Sequence, residues 1–151
     1  MLRDRLSETL KVALKAKEAR TVSTVRLILA ALKDRDIAAR SKGNQDGIDE
    51  EGVLSLLQSM IKQRRDSIKL YEKGGRLELA QQESEEIGVI ETFLPEQLSD
   101  EDLANAVSTA ISEVDATTLK DMGKTMAALK SKSAGQMDFS KASALVKSQL
   151  G

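Results

Sequence analysis

FLPEQLSDEDL, residues 93–103, contains the single proline of a chain of 151 residues. Pro95 has no backbone N–H to donate, and a proline biases the residue before it, here Leu94, away from helical angles. Ser99 stands before a run of acidic residues, a pattern typical of a helix N-cap. We therefore interpret Leu94, Pro95 and Ser99 as a joint between two helical domains, residues 1–95 and residues 96–151.

The composition favours an all-α fold. Only one Tyr and two Phe occur and Trp is absent, so the core must consist of aliphatic side chains. These aliphatic residues recur at spacings of three and four, the period of one helix face. The sequence therefore predicts an N-terminal helical bundle and a small three-helix C-terminal domain, a size range in which each can hold a modest core.

The N-terminal domain is predicted to contain four helices. The first covers residues 2–18 and the second begins near Thr21, while residues 41–48 have the composition of a mobile loop. Asp49 is a candidate cap for a third helix, which ends at Gly74 and Gly75. A fourth helix over residues 76–93 then folds back on the third, which gives a long antiparallel hairpin.

Charged residues interrupt the apolar stripes of this hairpin. Folding it at the two glycines places residues whose numbers sum to about 150 opposite each other, so Arg64 and Arg65 face Glu85 and Glu86. Arg64 and Glu83 also lie on the apolar stripes of their own helices. We predict a partly buried structural ion pair among Arg64, Arg65, Glu83 and Glu86 that sets the register of the hairpin. The alternative is a polar pocket for a ligand or an RNA group.

Three short helices are predicted after the joint. The first carries an apolar series at helical spacing, and the second and third begin at candidate caps, Thr118 with Asp121 and Asp138. A loop, SKSAGQMD, separates the last two helices. Three short amphipathic helices of this kind can form a miniature bundle.

The residue types argue against catalysis. The chain has no Cys and no His, which removes thiol nucleophiles, the commonest metal ligand and the usual general base at neutral pH. No glycine-rich phosphate loop, nucleophile elbow or metal-ligand spacing occurs. The sequence predicts no cofactor, no metal site and no catalytic residues.

No segment approaches the run of about 20 apolar residues that crosses a bilayer, and the N-terminus has no apolar signal region. We therefore expect no membrane association and a cytoplasmic location.

The charge is unevenly distributed along the chain. Lys/Arg outnumber Asp/Glu by 11 to 5 in residues 1–45, are outnumbered 6 to 17 in residues 46–118, and lead 6 to 2 in residues 119–151. Such basic segments can attract a polyanion, although ordinary solvated helix faces are the alternative. The candidate phosphate contacts lie near the start of two predicted helices and a glycine loop: Lys120, Lys124, Lys130, Lys132 and Gly135.

Two ordered groups of residues resemble the motifs of the YqeY family. The first group comprises Lys62-Gln63-Arg64-Arg65-Asp66-Ser67, Tyr71, Lys73-Gly74-Gly75-Arg76, Leu79, Glu83, Glu86 and Phe93-Leu94-Pro95-Glu96-Gln97-Leu98. The second comprises Asp121-Met122-Gly123-Lys124-Thr125-Met126, Leu129, Gly135 and Asp138. The chain departs from the family pattern at Ser140, where many relatives have glycine, and at Gln136, where a basic residue is frequent.

The resemblance implies a two-part, all-α architecture. It also implies that the small C-terminal domain is similar to the tail of the B subunit of glutamine-dependent tRNA amidotransferases, which is associated with tRNA contact. The family is often described as a carbon–nitrogen ligase with glutamine as amido donor, but the chain resembles only the appended tail of such an enzyme.

Three hypotheses about function follow. The first is a non-catalytic module that associates with tRNA or another RNA through the lysines of the C-terminal domain. The second is an accessory to a glutamine-dependent carbon–nitrogen ligase. The third is a helical protein–protein adaptor whose interface lies on the acidic middle helices.

Overall fold

A computed structural model describes the whole chain, Met1–Gly151, and the protein is all-α, which confirms the predicted fold class. Seven α-helices and one short 3-10 helix follow one another without a β-strand. None of these helices combines the length and the apolar character needed to cross a membrane. In chain order the helices are α1 (Leu2–Ala16), α2 (Ala19–Ser41), α3 (Glu50–Lys73), α4 (Leu77–Glu91), α5 (Asp100–Glu113), the 3-10 helix (Leu119–Asp121), α6 (Met122–Ser133) and α7 (Phe139–Leu150).

The chain divides into two compact units, Met1–Pro95 and Glu96–Gly151. Each unit has its own apolar core, which is built mainly from aliphatic side chains. The N-terminal core is built from Leu2, Leu6, Val25, Ile28, Leu32, Val53, Leu56, Leu57, Met60, Ile61, Ile90 and Phe93. The C-terminal core is built from Leu103, Val107, Ala110, Leu129, Met137, Ala142 and Val146.

The α3–α4 hairpin forms because local signals start and stop its helices. The Asp49 carboxylate accepts a hydrogen bond from the Gly52 N–H at 2.8 Å and caps α3. At the other end, Gly75 adopts a φ of +75°, a left-handed conformation that glycine reaches without steric cost. The two helices therefore pack against each other with the glycine turn at the tip.

Capping also organises the C-terminal unit. The Ser99 hydroxyl accepts a hydrogen bond from the Asp102 N–H at 3.1 Å, and Thr118 with Asp121 forms a reciprocal capping box ahead of α6. The three helices of this unit pack against one another. The N-terminal ends of its helices are therefore set by short polar residues, as the sequence predicts.

The segment around Pro95 divides between the two cores. Helix α4 ends at Glu91, Phe93 is buried in the N-terminal core and Leu94 packs against that core. The backbone N–H of Leu98 instead donates to the Gln136 carbonyl at 2.8 Å, within the C-terminal unit. The joint residues Leu94, Pro95 and Ser99 thus occupy the end of one unit and the start of the next.

Candidate functional site

Arg64 is the centre of a charge cluster between α3 and α4. Its Nε donates to Oε2 of Glu86 at 2.9 Å and lies 3.9 Å from Oε2 of Glu83. The side chain of Arg64 is 12% exposed and that of Glu86 is 9% exposed. Arg64 Nη1 also donates to the Met60 carbonyl at 3.3 Å. The structure therefore brings together three of the four residues that the sequence assigns to an ion pair.

The two carboxylates of this cluster affect each other. Burial, followed by repulsion from Glu86, raises the pKa of Glu83, while attraction to Arg64 opposes the rise. Two carboxylates thus share one guanidinium in a poorly solvated place, and the excess negative charge favours protonation of Glu83. Such a group can hold α3 and α4 in register, because every shift of one helix would leave a buried charge without its partner.

Arg65 lies outside the cluster, which corrects its predicted pairing. Its Nη2 is 3.6 Å from Oε1 of Glu91, and both side chains are exposed. Glu85, which the summed numbering places opposite Arg65, instead accepts a hydrogen bond from Arg20 of α2 at 3.2 Å. Successive helix positions point about 100° apart, so Arg64 turns inward while its neighbour faces solvent.

The candidate phosphate-binding lysines do not form one compact patch. All four are exposed. At about 100° per residue, Lys124 lies about 100° from the buried Thr125 and about 140° from the buried Leu129, so it projects from the outward side of α6. Lys120 lies in the preceding 3-10 turn. At about 100° per residue, Lys130 and Lys132 lie on opposite flanks of α6, about 200° apart.

Carboxylates lie near at least two of these lysines, because the charge of Lys124 adds to the effect of the Thr117 and Thr118 hydrogen bonds that lower the pKa of Asp121. Lys132 pairs with Glu113 of α5, although both side chains remain partly exposed. Neither Lys120 nor Lys124 forms a salt bridge. Two small exposed residues, Gly123 and Ala127, lie on either side of Lys124 along α6.

Carboxylates occupy the helix N-termini that the sequence offers to phosphates. The Asp121 carboxylate accepts from the Thr117 N–H at 3.0 Å and the Thr118 N–H at 3.3 Å, and these hydrogen bonds lower its pKa. The Asp138 carboxylate accepts from the Ser140 N–H at 2.8 Å. Their negative charge disfavours a phosphate at either N-terminus, so a nucleic-acid contact in this unit would depend on the lysines themselves.

Gly135 is buried and belongs to the framework of the C-terminal unit. Its φ is +77°, which explains glycine at this position, and its carbonyl accepts a hydrogen bond from Gln97 at 2.6 Å. Gln136, where the family often has a basic residue, directs its amide toward the Glu96 carbonyl at 3.4 Å. The loop before α7 is therefore tied to residues 96–98 and does not present Gly135 to a ligand.

A second buried charge was not recognised from the sequence. Asp36 of α2 accepts hydrogen bonds from both terminal nitrogens of Arg3, at 2.6 and 2.8 Å, and from the Ile48 N–H at 3.0 Å. Arg3 also donates to the Ile48 carbonyl at 2.7 Å. These bonds hold Ile48, the last residue of the segment 41–48 that was expected to be a mobile loop, against α1 and α2. The sequence feature that could have indicated this buried charge is the spacing, because Asp36 follows Leu32 by one helical turn and lies on the same buried side of α2.

The loop approaches Asp36 so closely that only glycine fits at position 47. Gly47 has a φ of +82° and is buried, and a Cβ built there would lie 2.3 Å from Oδ1 of Asp36. The hydrogen bonds from Arg3, with a smaller contribution from the Ile48 N–H, lower the pKa of Asp36 to about 2. The cluster connects α1, α2 and the segment before α3, which is an architectural role.

No group of three or more Asp or Glu side chains is arranged to hold a metal ion. The side chains that carry charge into the protein are instead matched with opposite charges or backbone groups, and no buried side-chain nitrogen or oxygen is left without a hydrogen-bond partner.

Curated relatives of this chain come from yeasts. The chain is 34% identical over 89 residues to "Altered inheritance of mitochondria protein 41, mitochondrial" of Lachancea thermotolerans, a match that covers 59% of this chain and 46% of that protein. The protein of the same name from Vanderwaltozyma polyspora matches at 34% identity over 89 residues, with the same coverage. An uncharacterised protein of Schizosaccharomyces pombe is 29% identical over 87 residues, 58% of this chain and 67% of that protein.

These comparisons correct one prediction. The chain matches a little under half the length of the yeast proteins named for mitochondrial inheritance, and those names give their location as mitochondrial. The predicted cytoplasmic location is therefore wrong. It rested on the absence of an apolar signal region and of a membrane-spanning segment, and that absence does not distinguish the cytoplasm from mitochondria.

The family comparison covers nearly the whole chain. The model of the YqeY family, described as "Yqey-like protein", matches residues 3–150 and so includes both compact units. The resemblance carried by the motifs from Lys62 to Leu98 and from Asp121 to Asp138 is thereby confirmed: this chain belongs to the YqeY family.

Proposed function

We propose that this protein is a non-catalytic module that associates with RNA, tRNA included, through the outward side of α6. The observation that carries the proposal is that Lys120 and Lys124, four positions apart at the start of α6, are both exposed and form no salt bridge. Residues 119–151 carry 6 Lys/Arg against 2 Asp/Glu, so this part of the unit is locally basic. Exposed lysines of this kind bind phosphates by charge and carry no sequence information.

The small residues on either side of Lys124 support the same contact. A Cβ added at Gly123 meets no atom within 4 Å, so the backbone of α6 is open to solvent there. A phosphate chain can approach such a surface closely while the lysines reach around it. Lys132, which pairs with Glu113, and Lys130, on the opposite flank, are peripheral to this contact.

The proposal predicts weak, salt-dependent binding. If about three phosphates are contacted, the affinity for a labelled tRNA mixture should fall about fortyfold between ~50 and ~200 mM salt. Lys120→Glu with Lys124→Glu should abolish the binding, whereas neutral replacements, Lys120→Gln with Lys124→Gln, should reduce the salt slope by about two. Fluorescence anisotropy with the full chain measures both effects.

A matched control variant distinguishes binding at the α6 surface from a general effect of net charge. Lys69→Glu with Lys73→Glu changes the net charge equally but lies on α3 in the N-terminal unit, and should leave tRNA binding within about twofold of wild type. Binding that is absent at ~50 mM salt, or that the α6 double variant retains, would rule out the proposal. The same titration with an unrelated hairpin RNA distinguishes a tRNA preference from general RNA association, which also tests the accessory role beside a carbon–nitrogen ligase.

A further inference from the structure

Helix α2 is apolar on two sides. Its inward side buries Thr24, Val25, Ile28, Leu32 and Asp36 in the N-terminal unit. Its outward side carries a second set, Leu27, Ala30 and Ile37, which we call the apolar stripe of α2. Leu27 is 48% exposed and Ile37 is 50% exposed, and Ala30, which lies between them, is also exposed. At about 100° per residue, the three side chains fall within an arc of about 80°, so they form one strip along the helix.

A row of positive charge borders this stripe. Arg26, Lys33 and Arg40 follow one another at intervals of seven residues, and all three are exposed. The seven-residue interval keeps them within an arc of about 40° on one side of the apolar stripe, and we call them the basic edge of α2. Neither Arg26 nor Lys33 forms a salt bridge, and Arg40 donates only to the Gln45 carbonyl, at 3.3 Å. The positive charge of Arg40 also acts on the buried Asp36, whereas Arg26 and Lys33 form no ion pair within the chain.

The spacing of both features suits packing against another helix. Leu27, Ala30 and Ile37 stand three and seven residues apart, the a and d positions of a heptad, and the basic edge then occupies the flanking g position. Charges at these flanking positions select the partner in helix–helix contacts. The chemistry of the surface therefore specifies a helix with an apolar seam and carboxylates along one side.

A second copy of the same helix does not fit. In an antiparallel pair centred on the stripe, Lys33 would face Lys33 of the other copy and Arg26 would face Arg40. In a parallel pair, Asp34, which lies between Ala30 and Ile37 on the outward side, would face its own equivalent at the centre of the seam. Like charges oppose each other in both arrangements, which disfavours self-association.

A lipid surface or an RNA backbone fits less well than an acidic helix. Asp34 would be pressed against the headgroups or acyl chains of an anionic membrane, and the stripe has no aromatic residue of the kind that anchors interfacial helices. A phosphate backbone would pair with the basic edge but would leave Leu27 and Ile37 against a charged partner. Only a partner that is apolar and acidic in parallel strips matches both features.

We propose that the outward side of α2 is a docking surface for an acidic amphipathic helix of a partner protein. The apolar seam of the partner packs on the apolar stripe of α2, and its carboxylates pair with the basic edge. Asp34 requires a polar or basic residue opposite it, which sets the register of the partner. This surface lies in the N-terminal unit and is independent of the RNA contact proposed for α6.

The test uses the full chain and a designed probe. The probe is a fluorescein-labelled helical peptide about three heptads long, with glutamate at the e and g positions, whose charge repulsion disfavours self-pairing. Its a and d positions are leucine except for one central lysine, which can pair with Asp34. We expect saturable binding by anisotropy that weakens as salt rises from ~50 to ~500 mM. The matching peptide with lysine in place of glutamate should bind at least about tenfold more weakly.

Substitutions on α2 assign the binding to the proposed surface. Leu27→Ala with Ile37→Ala should weaken binding at least about tenfold, because the apolar contact is lost. Arg26→Glu with Lys33→Glu should abolish binding of the acidic peptide and create binding of the lysine peptide. The control is Leu70→Ala with Leu77→Ala at the tip of the α3–α4 hairpin, where the side chains are even more exposed; it should bind like wild type.

Several results would overturn the proposal. They are the absence of saturable binding by the acidic peptide, equal binding of the two peptides, or full retention of binding by Leu27→Ala with Ile37→Ala. Equimolar phosphatidylglycerol–phosphatidylcholine vesicles and tRNA serve as competing probes. If either is bound through Arg26 and Lys33 while the acidic peptide is not, the surface serves a different class of partner. Circular dichroism of each variant verifies that the helices are intact.

Discussion

The two units of this protein place their charges differently. In Met1–Pro95, Arg64 with Glu86 and Arg3 with Asp36 draw charged groups into the protein, and the Asp36 side chain is only 10% exposed. In Glu96–Gly151 the salt bridges, such as Lys141 with Asp100 at 3.6 Å, lie at the surface.

The difference separates two uses of charge. A buried charge is costly unless a partner meets it, so the pairs of the N-terminal unit constrain which helix positions can face each other. An exposed pair contributes about 0–1 kcal/mol and leaves its members available to other ions. The N-terminal unit therefore relies on its inner charges for architecture, whereas the C-terminal unit relies on helix caps and keeps lysines accessible.

The largest effect is expected at Arg64. Arg64→Met should destabilise the N-terminal unit by about 3 kcal/mol near neutral pH, because Glu86 and Glu83 would remain poorly solvated without a counter-charge. Hydrogen exchange followed by mass spectrometry reports the loss for each unit separately, which matters in a chain with two compact units.

Two further variants sharpen this comparison. Arg64→Met with Glu86→Leu should recover most of the lost stability, since an apolar pair of similar volume can replace a buried ion pair. Arg65→Met, on the exposed neighbour, should change stability by less than about 0.5 kcal/mol. If Arg64→Met proves as stable as Arg65→Met, the cluster does not constrain the hairpin.

The second-largest effect is the loss of stability expected when acid protonates Asp36. The pKa of Asp36 is lowered to about 2 by its hydrogen bonds to Arg3 and then to Ile48, below its unfolded value of about 4. A carboxyl with a lowered folded pKa stabilises the fold above its unfolded pKa and loses that effect as pH falls. We expect about 2 kcal/mol to be lost from the N-terminal unit between pH ~4 and ~2.

Asp36→Asn tests this origin. The variant should be less stable by about 2 kcal/mol near neutral pH and should lack most of the decline between pH ~4 and ~2. Urea denaturation monitored by circular dichroism across this pH range measures both properties. Asp34→Asn, an exposed neighbour on the same helix, should retain the wild-type decline; an equal loss in both variants would show that Asp36 is not its source.

Glu83 should change the pH dependence of stability in the opposite direction to Asp36. Its pKa is raised by burial and by Glu86, so its contribution to stability is present below the unfolded pKa and is lost as pH rises through the folded pKa. Deprotonation of Glu83 should lower the free energy of unfolding as pH rises. Glu83→Gln cannot deprotonate, so this decline should be smaller in the variant. Urea denaturation at pH values above ~4 measures the Glu83 effect separately, because the Asp36 effect occurs between pH ~4 and ~2.

The smallest effect is expected at a helix cap of the C-terminal unit. Ser99→Ala removes the acceptor of the Asp102 N–H and should cost about 1 kcal/mol, confined to this unit. Ser112→Ala, at an exposed position within the same helix, should be neutral or slightly stabilising because alanine is the better helix former. Hydrogen exchange of α5 distinguishes the two, and equal protection in both variants would show that the cap is dispensable.

The sequence alone determined the features that depend on neighbouring residues. Helical spacing of aliphatic side chains established the all-α class, and Pro95 placed the break where the two cores separate. Ser99, and Thr118 with Asp121, cap helices as predicted, because a cap is a contact over three or four positions. The family motifs were equally accessible, since they are local and ordered along the chain.

Only the tertiary structure decided which distant groups meet. Asp36 joins Arg3, 33 positions away, and thereby orders a segment whose composition predicted mobility. Arg65 pairs with Glu91 and Glu85 pairs with Arg20, whereas the hairpin alone suggested that they face each other. The lysines of α6 diverge for the same reason: each helix position turns a side chain by about 100°, so packing decides whether a charge is buried, paired or free to bind.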